Sequence, residues 1–352
     1  MARILIAPDS FKGSISSTDA ANAIAEGWLS VRGDDEVTIA PFADGGEGTL
    51  AAIESAVADK TLVHAGNAHY IITSDGTAVV ELALSSGLTK LEHLDPIGAH
   101  TYEFGKVLAA AASDPRVKRM YAALGGSAST DGGVGALMAL GARFLDSHGK
   151  EIGLGGGELK KIARIDTSAL IAPPSGGVIA LVDVTAPLIG AHGAAAIFAP
   201  QKGANEEQVE ELDEALTHLL NLSGVADSPG SGAAGGTAFG LRAFWSARIE
   251  SGAEKIAETI GFQSLLQNSD LVITGEGRLD SQSLTGKVVG FIANKAKSAG
   301  VEVAFCVGTS EIDVNGSLSI ELVKLANDSA DAIARAEKYC VQAGERLAKQ
   351  YT

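Results

Sequence analysis

Apolar residues fall into short dense runs separated by polar stretches, and the runs alternate between two spacings. RILIA at Arg3 to Ala7 and the stretch Glu36 to Ala40 have the length and apolar content of strands. Between them Ala21, Ile24 and Trp28 recur at helical spacing from about Thr18 to Val31, with Ser16 or Ser17 placed to cap the start and Gly33 to end it. A helix over Gly48 to Ala58 follows, and this strand–helix alternation is the pattern that builds a parallel sheet.

The rhythm changes between about Leu62 and Leu84. There HYIITSDGTAVVELAL reads as two β-rich runs folded about Ser74, Asp75 and Gly76, a hairpin signal. A helix near Glu103 to Ala112, a strand at Arg119 to Leu124, the loop GGSASTDGG and a helix to Leu140 come next. GLGGGELKKIARIDTSALIAPPSGG reads as loop, and VIALVDV (Val178 to Val184) as a buried strand. NEEQVEELDEALTHLLNL is an amphipathic helix with Val209, Leu212, Leu216, Leu219 and Leu220 on one face. The α/β rhythm then returns, with strands at Asp270 to Thr274, Val301 to Val307 and Ile320 to Leu325 separated by helices at about Gly286 to Ala299 and Ser329 to Lys349. The expected fold is therefore α/β with two domains. A doubly wound, Rossmann-like parallel sheet is built from both chain ends (1–60 and 264–352), a mixed α/β domain is inserted at 61–263, and the active site lies in the cleft between them.

Composition narrows the function. A chain of 352 residues exceeds the usual size of one hydrophobic core. Lys plus Arg number 27 against 43 Asp plus Glu, a net charge of −16 that opposes nonspecific binding to nucleic acid or anionic membranes. No apolar run reaches about 18 residues, and MARILIAPDS lacks the features of a signal peptide, so a cytoplasmic location is expected. Cys306 and Cys340 form no ligand cluster and are expected to be buried and inert. The 43 glycines exceed the roughly 25 of average usage, and their clustering points to tight turns or ligand loops.

Five of those clusters follow directly on strands: PDSFKGS, PFADGGEG, GGSASTDGG, DVTAPLIGAHGA and TGEGRLDSQSLTGK. Ligands of open parallel sheets bind beyond the carboxyl ends of strands. Standard phosphate motifs are absent: the one GK pair, Gly286 and Lys287, is followed by Val288, and the GxGxxG string at Gly230, Gly232 and Gly235 follows DSP instead of a strand. That string reads as a closely packed helix start or as amides facing an anion. Lys12, Lys202, Arg278 and Lys287 lie in glycine-rich segments, as do Asp9, Asp44, Glu47, Asp131, Asp183, Glu276 and Asp280. Such carboxylates serve as magnesium ligands, as proton acceptors, or merely as helix and turn caps. His192, alone in its loop, reads as structural.

PDSFKGS, ADGGEGT, LGGSA with DGG, PQKGA, GAAGG and TGEGRLD, in this order over nearly the whole chain, resemble the bacterial glycerate kinase family of the glycerate 2-kinase type. The resemblance implies ATP-dependent, Mg2+-requiring phosphorylation of D-glycerate to 2-phosphoglycerate, with no nucleic-acid or membrane partner and with a homodimer compatible. On that reading Lys12, with Ser10, holds the glycerate carboxylate, and Asp9, Glu47, Arg278 and Asp280 also face the substrate. Asp183 is the first candidate for the base or magnesium ligand, followed by Asp44 and Glu276. Lys202 faces the transferring phosphoryl group. Gly125, Gly126 and Ser127, with Gly45, Gly46 and Lys287, meet the ATP. The chain departs from the family pattern at Glu103, Ala186 and Ala191 and in LANDSADAIARA near its end. The alternatives are a kinase for a related small hydroxy acid or a catalytically silent binding protein of the same fold.

Overall fold

The computed structural model describes residues 1–352 apart from 282, 284–286 and 315. In chain order the strands are β1 (Arg3–Ile6), β2 (Glu36–Ile39), β3 (Lys60–Ala65), β4 (Ala68–Thr73), β5 (Thr77–Glu81), β6 (Arg119–Ala123), β7 (Arg143–Leu145), β8 (Arg164–Asp166), β9 (Val178–Val182), β10 (Arg248–Ser251), β11 (Leu271–Thr274), β12 (Arg278–Leu279), β13 (Glu302–Val307), β14 (Thr309–Ser310) and β15 (Leu318–Glu321). Helix α1 spans Ser17–Val31 and α2 spans Thr49–Ala56. No helix of the described residues is long and apolar enough to cross a membrane.

The chain divides into two compact units, the first made of residues 1–44, 51–58 and 253–352, the second of 45–50 and 59–252. These bounds differ from the expected 1–60, 61–263 and 264–352 at residues 45–50, 59–60 and 253–263. Residues 45–50 belong with the second unit, since Glu81 of β5 accepts hydrogen bonds from the amides of Gly48 and Leu50. The helix Gly252–Thr259 counts with the first unit from residue 253 onward.

In the first unit a parallel sheet has the order β15-β13-β11-β1-β2. Numbered within the unit, that is 2-1-3-4-5, one of the two common doubly wound orders, with its switch point between β1 and β11. Side chains alternate across the sheet: Ala304 and Cys306 of β13 join Ile4, Ile6, α1 and the C-terminal helix Ala336–Gln350 on one face, while Phe305 and Val307 meet Val289 and Leu279 on the other. The expected Rossmann-like sheet built from both chain ends is present. Ser16 caps α1 by accepting from the Asp19 amide. Both cysteines are buried, and burial together with their mutual hydrogen bond pushes the Cys306 thiol well above its ordinary pKa.

The second unit holds a mixed sheet of order β10-β9-β6-β5-β4-β3, in which β10, β9, β6 and β5 run parallel and β5, β4 and β3 antiparallel. The expected hairpin is β4–β5, its turn tied by Asp75, which accepts from the Thr77 amide and from both neighbouring threonine hydroxyls. A further strand, β3, turns back through Gly66 at φ 61° and was not separable from the β4 run by spacing alone. The helix Glu206–Ser223 opens with an Asn205/Gln208 capping box and buries Leu212, Ala215, Leu216 and Leu219 in the core.

Three expected elements change. The run Ile320 to Leu325 is strand only to Glu321 and continues as a 3-10 turn over Leu322–Lys324. The helix expected over Ser329 to Lys349 breaks at Arg335 (φ −126°, ψ 36°), where Asp331 draws the Arg335 and Tyr339 side chains towards it. The segment after Gly153, expected to be loop, forms a 3-10 turn at Gly156–Lys161 and the strand β8, paired with β7. Gly286, expected to open a helix, lies outside the described residues; the helix spans Val288–Ala299.

Helix α1 and the C-terminal helix touch backbone to backbone: a Cβ at Gly27 would lie 1.9 Å from the Val341 carbonyl oxygen, and one at Gly344 would lie 2.2 Å from that of Ile24. Gly27→Val is therefore expected to cost about 3 kcal/mol or more through overpacking. Gly33→Ala, where the nearest atom is 3.4 Å away, is the neutral control. Urea unfolding followed by Trp28 fluorescence checks both.

Candidate active site

At the switch point of the first unit the loops after β1 and β11 are laced together. The Asp9 amide donates to the Gly275 carbonyl at 2.8 Å, and the Thr274 hydroxyl donates to the Ala7 carbonyl at 2.9 Å. Gly275 is required by space, because a Cβ there would sit 1.6 Å from the Cys306 carbonyl oxygen. The loop after β1 closes through hydrogen bonds between Phe11 and Ile15, turns at Gly13 (φ 76°), and carries Lys12 exposed. The loop after β2 is tied in by the Phe42 amide, which donates to the Pro8 carbonyl at 2.9 Å.

This lacing gathers charge. Asp9, Asp44 and Glu276 are all buried, 8%, 8% and 7% exposed, where a carboxylate is costly without compensation. Burial, reinforced by the charge of Asp44, pushes the Asp9 carboxyl up to about 8, while the Ser10 amide and Lys12 oppose the rise. The Glu276 carboxyl is also raised, chiefly by burial, against the pull of Ser283, Lys287 and Lys12 and with the push of Asp280. Oε1 of Glu276 is buried without a hydrogen-bond partner, a state it shares among the described residues with Oγ1 of Thr130. Asp9, Ser10, Lys12, Asp44, Glu276, Asp280 and Lys287 thus form one electrostatically coupled group. Asp280 also accepts from Ser283, closing a turn. Arg278 is exposed and paired with Glu311 at 2.5 Å in a surface ion pair.

In the second unit Gly45 of PFADGGEG and Gly125 of GGSASTDGG serve close packing of protein on protein. Gly45 has φ 95°, and a Cβ there would lie 3.0 Å from the Leu181 backbone. The Gly125 amide donates to the Gly45 carbonyl at 3.1 Å, and a Cβ at Gly125 would lie 2.3 Å from Cα of Gly46. Those three glycines, expected to meet ATP, therefore have a structural use in the fold. Gly126 turns at φ 76° and accepts from the Leu88 amide, and the Ser127 hydroxyl lies 3.1 Å from that of Ser129. The Gly230 to Gly236 string packs in the same way, Gly235 within 2.1 Å of the Ser129 carbonyl oxygen measured from a built Cβ, so close packing is the reading the structure favours there.

Lys202, expected to face the transferring phosphoryl group, lies in the second unit. It is 2% exposed, and its Nζ donates to the Ser129 carbonyl at 2.5 Å; burial lowers its pKa to about 8 despite the charge of Asp131. An ammonium so enclosed braces the GGSASTDGG loop. Asp131 is likewise structural, accepting from the Thr101 amide and hydroxyl and from the amides of Gly133 and Gly135. Asp183 and Glu47 are exposed. Glu81 was overlooked. An acid inside the apolar run AVVELAL is the available signal, and it is 3% exposed with both carboxylate oxygens on the α2 start.

Residues 4–352 match the model of the glycerate kinase family. The chain is 39% identical over 331 residues to the glycerate kinase of Bacillus subtilis strain 168, covering 89% of this chain and 86% of that one. It is 39% identical over 330 residues to the glycerate 2-kinase of Escherichia coli K12, with the same coverage. A crystal structure described as a glycerate kinase 2 from Salmonella typhimurium LT2 superposes with a TM-score of 0.83 at 34% identity, covering 99% of this chain and 97% of that one.

The Asp9 carboxyl gives a stability prediction. Its folded pKa lies above the ordinary value of 3.8, so its contribution is fully present below about pH 4 and is lost as pH rises through about 8. Urea unfolding in EDTA between those limits, followed by Trp28 in a Trp245→Phe background, is expected to show the first unit losing stability with rising pH. Asp9→Asn is expected to flatten that dependence.

Proposed function

The chain belongs to the glycerate kinase family and is a phosphotransferase, and from that premise we propose that it transfers a phosphoryl group from ATP to the 2-hydroxyl of D-glycerate, in the cytoplasm. The carrying observation is the Lys12 loop set at the sheet's switch point beside Asp9, Asp44 and Glu276. The name glycerate 2-kinase borne by the Escherichia coli relative supports the 2-position.

Both substrates are anions, so transfer depends on positioning and on offsetting charge. Lys12 and the Ser10 hydroxyl hold the glycerate carboxylate, for which a point cation and one donor suffice. Asp44 and Glu276 would hold Mg2+, which would supply positive charge to offset that of the phosphates. The fit rests on hard carboxylate oxygens and on Glu276 Oε1, a buried acceptor without a protein partner. Mg2+ is commonly held by one or two carboxylates, with phosphates and water completing its shell. No group of three or more His, Cys, Asp or Glu disposed for a metal occurs among the described residues, so a cage of that kind forms no part of this reading.

ADP release with D-glycerate, L-glycerate, tartronate and glycolate, with and without Mg2+, tests the reading, and 31P NMR identifies the product. D-Glycerate is expected to give the highest kcat/KM and 2-phosphoglycerate the product signal. Lys12→Ala is expected to raise the KM for D-glycerate about 10-fold or more while sparing that for ATP, as loss of a charged hydrogen bond requires. Asp44→Asn is expected to raise the Mg2+ concentration needed for half-maximal rate. A 3-phosphoglycerate product, or an unchanged KM for D-glycerate in Lys12→Ala, would overturn the corresponding assignment.

A further inference from the structure

Glu81 ends β5, a strand buried along its whole length, and no cation is among the groups that act on its carboxylate. Burial and the neighbouring charge of Glu47 both oppose its ionisation. What compensates is the start of α2. Oε1 accepts from the Gly48 amide at 2.9 Å and Oε2 from the Leu50 amide at 2.8 Å, while the amide between them, Thr49, turns back to the Gly46 carbonyl. Each of the three amides at that helix start is thus used by the protein itself, and the place an external anion would take is filled by a carboxylate of the chain.

The other end of the same turn is fixed by neighbouring strands. Gly45 lies on Leu181 of β9, and its carbonyl accepts from Gly125, two residues beyond β6. Since β9, β6 and β5 are adjacent in the sheet, the turn of residues 45–50 rests on the carboxyl ends of three consecutive strands, with Glu81 supplying a charged contact. Glu47 projects exposed from the middle of that turn.

We infer that Glu81 is a positioning residue for phosphoryl transfer: as a built-in anion on the α2 start, it holds the 45–50 turn so that Glu47 is presented to D-glycerate. This rests on the proposed phosphorylation of D-glycerate and on the expectation that Glu47 faces that substrate. Gln at position 81 keeps the size of the side chain but offers one acceptor and turns an NH2 donor towards the second amide.

The test compares Glu81→Gln, Glu81→Ala and Glu47→Gln with the wild type in the D-glycerate assay, alongside thermal unfolding. Loss of a group that orients a site residue typically costs about 10- to 100-fold in activity. Glu81→Gln is expected to raise the KM for D-glycerate on that scale while leaving the KM for ATP unmoved. Acetate added to Glu81→Ala is expected to restore part of kcat/KM, whereas chloride at equal ionic strength does not. Should Glu81→Ala fail to fold, Glu81→Gln carries the test alone. Wild-type kinetics in Glu81→Gln, with or without a lowered Tm, or an equal rise in both KM values, overturns the inference. If Glu47→Gln is impaired and Glu81→Gln is not, only the positioning role fails; if both behave as wild type, the placement of the loop in the substrate site fails too.

Discussion

Pairing of β1 with β11, Ile4 opposite Leu271, joins sequence from the two ends of the chain, and the candidate site depends on it. With β1 between β2 and β11, the sheet order reverses between β1 and β11, the place beyond the strand ends where ligands of open parallel sheets bind. The hydrogen bonds from Asp9 to Gly275 and from Thr274 to Ala7 continue the pairing past the strands and set Asp9 beside Glu276. A Cβ at Gly275 would collide with β13, so the same residue lets the sheet close and lets the acids converge.

The two units handle buried acid differently. In the first, three carboxylates crowd together, and among the described residues Oε1 of Glu276 has no donor. In the second, Glu81 and Asp131 are buried in full use of backbone amides at helix starts, with a hydroxyl added at Asp131. Donors aimed at both oxygens offset the cost of burying Glu81 and Asp131, whereas Glu276 carries that cost more fully.

Much of this was legible in the residue pattern. The apolar runs at Arg3 to Ala7 and Asp270 to Thr274 located two central strands, Ser16 marked the start of α1, and the SDG turn marked the β4–β5 hairpin, because each signal lies within a few residues of its effect. Effects acting across the fold were hidden. The partners of Glu81 lie 31 and 33 positions away, and Lys202 has a residue type that is ordinarily exposed, so neither burial follows from local spacing. Glycine-rich loops were expected to approach a ligand, but a glycine that admits a phosphate and one that admits another backbone look alike in sequence, as Gly125 shows. The apolar content of Ile320 to Leu325 likewise could not tell a strand from a strand followed by a 3-10 turn.

Cys306 on β13 and Cys340 on the C-terminal helix are both fully enclosed in the first unit, at the layer that joins the last helix to the sheet. Their burial turns them into a clock. A thiol reagent in solution reaches them only when that layer separates, so the rate of alkylation under native conditions measures how often the end of the chain lets go of its beginning.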